Sequence, residues 1–74
     1  MIDYQNYITI NPQLRFGKPT IIGTRITVFD VLYWFSNGMP IELIIEDFPE
    51  LNENQIKACL SYAADREYKI QVAS

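Results

Sequence analysis

The chain has 74 residues, of which 49% are apolar and 14% aromatic, and its six basic and nine acidic residues give a net charge of −3. One cysteine and no histidine exclude an intramolecular disulfide and count against a structural zinc site. A domain of this length buries only roughly 60% of its unfolded surface. We therefore expect a single domain over residues 1–74 that is stabilised by a partner, either a second copy or another protein.

The charge is unevenly distributed along the chain. Residues 1–26 contain Arg15, Lys18 and Arg25 against one acid, a balance of +2, whereas residues 27–74 have a balance of −5. An acidic total disfavours tight, unassisted nucleic-acid binding, which depends on neutralising phosphates. The basic N-terminal segment is therefore the candidate electrostatic contact surface.

The N-terminal residues also bear on localisation. The sequence MIDYQNYITI lacks the basic start and continuous apolar core of a signal peptide. No apolar run approaches the ~20 residues that span a bilayer. We expect a cytoplasmic protein that does not enter a membrane.

Three short β-prone runs, residues 7–10, 20–22 and 25–28, predict a small β arm over residues 1–26. Gly23 separates the last two runs and allows a tight turn. The segment GKPTIIGTR that contains them does not fit a phosphate-binding loop, because its lysine follows the first glycine instead of the second. We therefore expect a hairpin whose basic residues serve contact.

A helix is predicted from Thr27, which can cap its N-terminus with Asp30 at the third helical position. It should end at Asn37 and Gly38, where glycine can supply the left-handed residue past the helix. Its predicted inner face consists of Val28, Val31, Leu32 and Phe35.

Three aromatic residues of this helix, Phe29, Tyr33 and Trp34, lie off that inner face. The helix is thus apolar over most of its circumference, which is typical of a central helix or of one shared with a partner. We expect these three residues to form a partner interface.

Two further helices follow. Pro40 should occupy the first position of the second helix, and Pro49 should end it. Its predicted inner face consists of Ile41, Ile44, Ile45 and Phe48. Asn52 and Gln55 form a capping-box pattern at the start of the third helix, which we expect to fray after Arg66.

The predicted inner face of the third helix consists of Ile56, Cys59, Leu60, Ala63 and Ala64. A β arm over residues 1–26 and helices over residues 27–70 predict a mainly α fold. This pattern is typical of a three-helix homeodomain-like or winged helix-turn-helix domain with a short N-terminal β element.

The predicted outer face of the third helix is the candidate DNA-reading surface. Asn54, Gln55, Lys57 and Ser61 are residue types that contact base edges or phosphates. The same residue types also occur on ordinary solvated helix faces, and Glu53 and Asp65 on this face would repel DNA. Residues that could hold the phosphate backbone, or an acidic patch on a protein partner, are Arg15, Lys18 and Arg25.

Catalysis has little chemical basis in this sequence. Histidine is absent, and the carboxylates lie at solvent-facing or capping positions, where their proton affinity is not tuned for acid–base work. Cys59, on an inner helical face, is expected to be a small buried apolar residue. We therefore expect that the protein is not an enzyme and that it binds no metal and no cofactor.

The segments GKPTIIGTRITVFDVL and NGMPIELIIEDFPELNENQIKACLSYAA resemble a small prokaryotic family of unknown function, numbered four hundred thirty-three. The resemblance covers residues 8–67, and its main departure is Met39-Pro40, where family members often have a Ser or Thr cap. It implies a helix-turn-helix fold and similarity to antitoxins of type II toxin–antitoxin pairs. The implied partner is a PIN-like ribonuclease toxin.

These observations predict a homodimeric antitoxin that neutralises a PIN-like toxin and binds double-stranded operator DNA. Two alternatives remain open at this point. One is a stand-alone helix-turn-helix transcriptional regulator, and the other is a protein-interaction module that does not bind DNA.

Overall fold

In the computed structural model, which describes the backbone of residues 3–73 and the side chains of residues 3–67, two short strands precede three helices. The termini of the predicted domain, residues 1, 2 and 74, lie outside the described residues. The mainly helical fold with a short N-terminal sheet is confirmed. Its elements are β1 (Ile8–Thr9), β2 (Thr20–Ile21), α1 (Val28–Ser36), α2 (Ile41–Asp47) and α3 (Glu53–Ala73).

The β arm is smaller than its sequence predicts. β1 and β2 pair antiparallel, with Ile8 opposite Ile21. The third predicted strand is reduced to a single bridge between Thr20 and Thr27, because Thr27 already serves as the cap of α1. Gly23, with φ +84°, supplies the left-handed residue of the turn between β2 and Thr27.

Both ends of α1 are confirmed. The Thr27 hydroxyl accepts the Asp30 N–H at 2.9 Å, and the Asp30 carboxylate accepts the Thr27 N–H at 3.1 Å, which completes a capping box. Asn37 is the last cap residue. Gly38 follows with φ +87°, the left-handed conformation that commonly ends a helix.

The other two helices depart from prediction at one end each. Pro40 is the cap of α2 and not its first helical residue, because its backbone is extended at ψ 166°. Asn52 and Gln55 form the predicted reciprocal bonds, at 2.8 and 2.9 Å. α3 then continues to Ala73 instead of fraying after Arg66, since residues 53–73 contain neither glycine nor proline. Within the described residues, no helix combines the length and apolarity needed to cross a membrane.

The core lies where the β arm, α1 and α3 meet, and Ile44 of α2 completes it. The predicted inner faces of α1 and α2 are confirmed, because every member is buried or packs partly buried against the core. The buried apolar side chains are Ile8, Ile21, Ile26, Val28, Val31, Ile44, Leu51, Ile56, Ala58 and Cys59.

α3 is rotated relative to its predicted orientation. Leu60 and Ala64, predicted to face inward, are exposed, whereas Ala58 is fully buried. The N-terminal segment causes this difference, because Tyr4 packs edge-on against Tyr62 with ring centroids 5.3 Å apart. The Tyr4 hydroxyl also donates to the Asp65 carboxylate at 2.5 Å. Asp65 is thus half-buried, and its predicted place on a DNA-facing surface is wrong.

Candidate protein-interaction site

The guanidinium of Arg15 joins the β arm to the start of α1. Its Nη1 donates to the Arg25 carbonyl oxygen at 2.7 Å and to the Asp30 carboxylate at 3.3 Å. The Asp30 oxygen that it contacts also accepts the Thr27 N–H in the capping box of α1. Arg15 therefore has a structural role, while Lys18 and Arg25 are exposed.

The segment Arg15–Gly17 forms a tight turn whose three residues all have positive φ, at 50°, 60° and 78°. This conformation suits Gly17 but is rare for a bulky side chain such as Phe16. The Phe16 side chain is nevertheless 96% exposed and contributes nothing to the core. Sequence reasoning treated Phe16 as one of many packing aromatics, since no local pattern distinguishes it.

Two of the three aromatic residues predicted at a partner interface are on the surface. Phe29 and Tyr33, one helical turn apart on α1, are 63% and 56% exposed, and their rings stack with centroids 6.0 Å apart. The Lys18 ammonium lies 5.9 Å from the Phe29 ring centroid, within range of a cation–π contact. The α1 aromatics and a β-arm cation thus form one continuous surface.

The third aromatic residue, Trp34, is placed differently. It is half-buried, and its ring stacks on that of Phe48 at a centroid distance of 4.3 Å and an interplanar angle of 13°. This contact joins α1 to the end of α2. The partner role predicted for Trp34 stays a prediction, and the structure adds a contact inside the domain that the sequence did not indicate.

An open apolar groove of about 290 Å³ lies beside Phe29. Its α1 side is formed by Phe29 and Leu32 with Pro19, and its α3 side by Tyr62 and Arg66 with Ala63. The Arg66 guanidinium lies 5.5 Å from the Tyr62 ring centroid. Lys18 and Arg66 thus place two cations beside an apolar floor, and we call Lys18, Phe29, Tyr33 and Arg66 the aromatic–basic face.

The candidate DNA-reading residues of α3 are divided by the structure. Asn54 and Lys57 are exposed, although the Lys57 ammonium pairs with Glu53 at 2.9 Å. The Gln55 side chain instead accepts the Asn52 N–H in the capping box, and Ser61 is half-buried. The structure therefore leaves two of the four side chains free to approach a major groove.

The surroundings of these two residues are acidic. Glu42, Glu46 and Asp47 are exposed on α2, and Glu50 and Glu53 are exposed at the following turn and the start of α3. Carboxylates at these positions repel a phosphate backbone. The exposed cations of the β arm lie in a different part of the chain, and one of them, Lys18, has its ammonium near the Phe29 ring of α1.

No arrangement typical of catalysis is found among the residues that the structure describes. Burial raises the pKa of the Cys59 thiol to about 12, so the thiol stays protonated and is a poor nucleophile. Over the same part of the chain, no group of three or more Asp, Glu, Cys or His side chains could hold a metal ion.

Comparison with known proteins places the chain in a family. Residues 8–63 match the model of the DUF433 family, described as a protein of unknown function. A relative in Sinorhizobium fredii (strain NBRC 101917 / NGR234), the uncharacterized protein y4eO, is 32% identical over 56 residues, which are 76% of this chain and 25% of that protein. The chain thus spans about a quarter of the length of this relative.

A solved structure is also similar. The crystal structure of a DUF433 member from Anabaena variabilis ATCC 29413 superposes with a TM-score of 0.80 at 26% identity, covering 93% of this chain and 68% of that one. The arrangement of β arm and three helices is therefore shared with a crystallographically observed relative. From the match to residues 8–63, the chain belongs to the DUF433 family of proteins of unknown function.

Proposed function

We propose that this protein is an antitoxin-type binding module that captures a PIN-like ribonuclease toxin through its aromatic–basic face. The observation that carries the proposal is the exposed stack of Phe29 and Tyr33 beside Lys18 and an apolar groove. Aromatic residues and arginine, here Phe29, Tyr33 and Arg66, are enriched at protein interfaces, and tyrosine and arginine are among the residue types that contribute most binding energy. Isolated surface aromatics are common, but a stacked pair beside a groove is a contiguous patch.

Charge favours a toxin of this class as the partner. The family resemblance implies a PIN-like ribonuclease, whose metal site is built from carboxylates. Lys18 and Arg25 are exposed on the β arm, and cations on one surface complement an acidic site on the other. A cation inserted among those carboxylates would compete with the catalytic metal and silence the nuclease.

The first test is genetic and biochemical. The gene adjacent to this one is expressed alone and together with this protein, and growth is followed before the pair is co-purified. Growth arrest that this protein relieves, with a stable complex, supports the proposal. A harmless neighbour that does not co-purify contradicts it.

Two charge reversals then identify the surface. Lys18→Glu changes the aromatic–basic face, whereas Lys57→Glu makes the same change on the outer face of α3. The proposal expects Lys18→Glu to abolish rescue and weaken the complex at least tenfold, about 1.4 kcal/mol. The Lys57 side chain is 52% exposed, and Lys57→Glu should change neither the rescue of growth nor the affinity of the complex. If Lys57→Glu impaired both and Lys18→Glu impaired neither, the toxin would bind at α3 instead.

A second candidate function is operator DNA binding by a homodimer. It is favoured by exposed Asn54 and Lys57 in the first two turns of α3, the helix that enters the major groove in helix-turn-helix proteins. A dimer would present two such helices about one DNA turn, ~34 Å, apart. This function predicts salt-dependent binding to the upstream region that Lys57→Glu removes and Lys18→Glu weakens only modestly. If neither the free protein nor the complex binds this DNA at low salt, the DNA-binding function is contradicted and the protein-interaction module is the remaining function.

A further inference from the structure

We propose that Phe16 is the anchor of the protein interface and that its ring inserts into an apolar pocket with an acidic rim on the partner. The proposal rests on the protein-binding function above and names the residue and the partner surface. Phe16 is 96% exposed, more than any other large apolar side chain among the exposed residues of the described chain. A ring that water surrounds in the free protein gains most from entering an apolar pocket.

The backbone at Phe16 has a defined, uncommon conformation. Arg15, Phe16 and Gly17 all have positive φ, a conformation that a bulky residue retains only where its surroundings enforce it. The enforcing contacts are the Arg15 bonds to the Arg25 carbonyl and Asp30, together with the Gly17 N–H donating to the Leu14 carbonyl at 3.1 Å.

The contacts of Phe16 do not explain this strained turn by packing within the domain, because the ring does not pack on the core. Conformations of this kind concentrate at binding sites. A backbone that already has its bound conformation loses little further freedom on association. Phe16 therefore combines the exposure and the aromatic character of an interface residue with a preorganised backbone.

The charges around Phe16 decide the partner. Lys18 is exposed two residues further along the chain, Arg25 is exposed and its carbonyl accepts a hydrogen bond from Arg15, and the Arg15 side chain is itself partly accessible. A second copy meeting this surface through a two-fold axis would place these cations against themselves, which is unfavourable. A second copy that offered its acidic α2 would bring opposite charges together, and this arrangement is one outcome of the test below. The protein-binding function proposed above favours a different protein, whose apolar pocket is bordered by carboxylates.

The test uses Phe16→Asn in the full-length protein. Asparagine removes the ring but tolerates positive φ better than phenylalanine, so the fold is retained. The matched control is Leu43→Asn, which removes an apolar side chain that is 39% exposed on α2. Binding of each variant to the co-expressed PIN-like protein of the adjacent gene is measured by titration calorimetry, and folding by circular dichroism and melting temperature.

We expect Phe16→Asn to weaken the complex at least tenfold with an unchanged or higher melting temperature, and Leu43→Asn to bind within twofold of the original. Binding that Phe16→Asn leaves unchanged would overturn the anchor while the binding function stands. No complex with the original protein would overturn both. Self-association in sedimentation velocity that Phe16→Asn abolishes would make a second copy the occupant and overturn the acidic-rimmed partner.

Discussion

Arg15 and Asp30 meet at the first turn of α1, where Arg15 Nη1 lies 3.3 Å from an Asp30 carboxylate oxygen that also accepts the Thr27 N–H at 3.1 Å. One carboxylate thus caps a helix and holds the strained turn of the β arm. The consequence is that helix start, turn geometry and the presentation of Phe16 depend on the same side chain.

We expect Asp30→Ala to lower the free energy of unfolding by about 1–2 kcal/mol, because it removes the carboxylate half of the capping box, which accepts the Thr27 N–H, together with the Arg15 contact. Arg15→Ala should cost less, about 0.5–1 kcal/mol, since the ion pair is partly exposed at 38% and 26%. Urea denaturation of both single variants and the double variant measures the coupling. Strictly additive losses would show that the two side chains act independently.

Phe16→Gly is expected to stabilise the protein. In the left-handed region phenylalanine has a steric cost of roughly 1–2 kcal/mol, which glycine avoids. The greater freedom of glycine in the unfolded chain offsets about 0.5–1 kcal/mol of this stabilisation. A net increase of about 0.5–1 kcal/mol should therefore appear in thermal or urea unfolding. Phe16→Ala is the control, because it removes the same ring but keeps the Cβ that causes the strain. Equal effects of both variants would contradict this account.

The stacking of Trp34 on Phe48 can be followed optically, because Trp34 is the single tryptophan of the chain. Phe48→Leu keeps apolar bulk but removes the stacked ring, so we expect a loss of about 0.5–1.5 kcal/mol and a red shift of the tryptophan emission. Phe29→Leu, which removes a ring that is 63% exposed and does not stack on Trp34, should leave the tryptophan emission unchanged. An unshifted spectrum in Phe48→Leu would contradict the shielding of Trp34 by the Phe48 ring.

Cys59 makes stability depend on alkaline pH. The pKa of its thiol is about 12 in the folded protein, whereas an unfolded cysteine loses its proton near about pH 8.5. Between these values the unfolded chain binds fewer protons, so the free energy of unfolding falls as pH rises, by at most about 1.4 kcal/mol per pH unit. Below about pH 8.5 the thiol is protonated in both the folded and the unfolded state, so its full contribution to the free energy of unfolding is present there.

The measurement compares the original protein with Cys59→Ala by urea unfolding at roughly pH 8 and pH 10. The stability advantage of the original protein should shrink as pH rises, because Cys59→Ala lacks this thiol and the difference between the two proteins isolates its contribution. In the folded state the thiol should also resist a disulfide reagent until denaturant is added. Rapid modification of the native protein would show that Cys59 is accessible.

Local chemistry made the helix boundaries predictable. The capping boxes at Thr27 and Asn52 and the left-handed Gly38 involve residues within a few positions of each other, so spacing and residue type suffice to identify them. The apolar period of α1 and α2 likewise predicted their inner faces. Where a local rule had two solutions, as for Pro40 at the cap or inside the helix, the prediction was off by one position.

The candidate site was less predictable, because its members are brought together from separate parts of the chain. The sequence indicated that Phe29 and Tyr33 lie off the core face of α1, but it treated Trp34 in the same way. Only the packing of α1 against the end of α2 decided that Trp34 stacks on Phe48.

What the sequence by itself determined is the order of elements, the helix caps and the division into a basic arm and an acidic helical part, since each follows from residue identity and short-range spacing. The tertiary structure decided which surface residues are available. The Arg25 carbonyl and Asp30 engage Arg15, the Asn52 backbone engages Gln55, and Phe16 is left in solvent. These outcomes depend on contacts between distant segments, whose geometry no periodic pattern encodes.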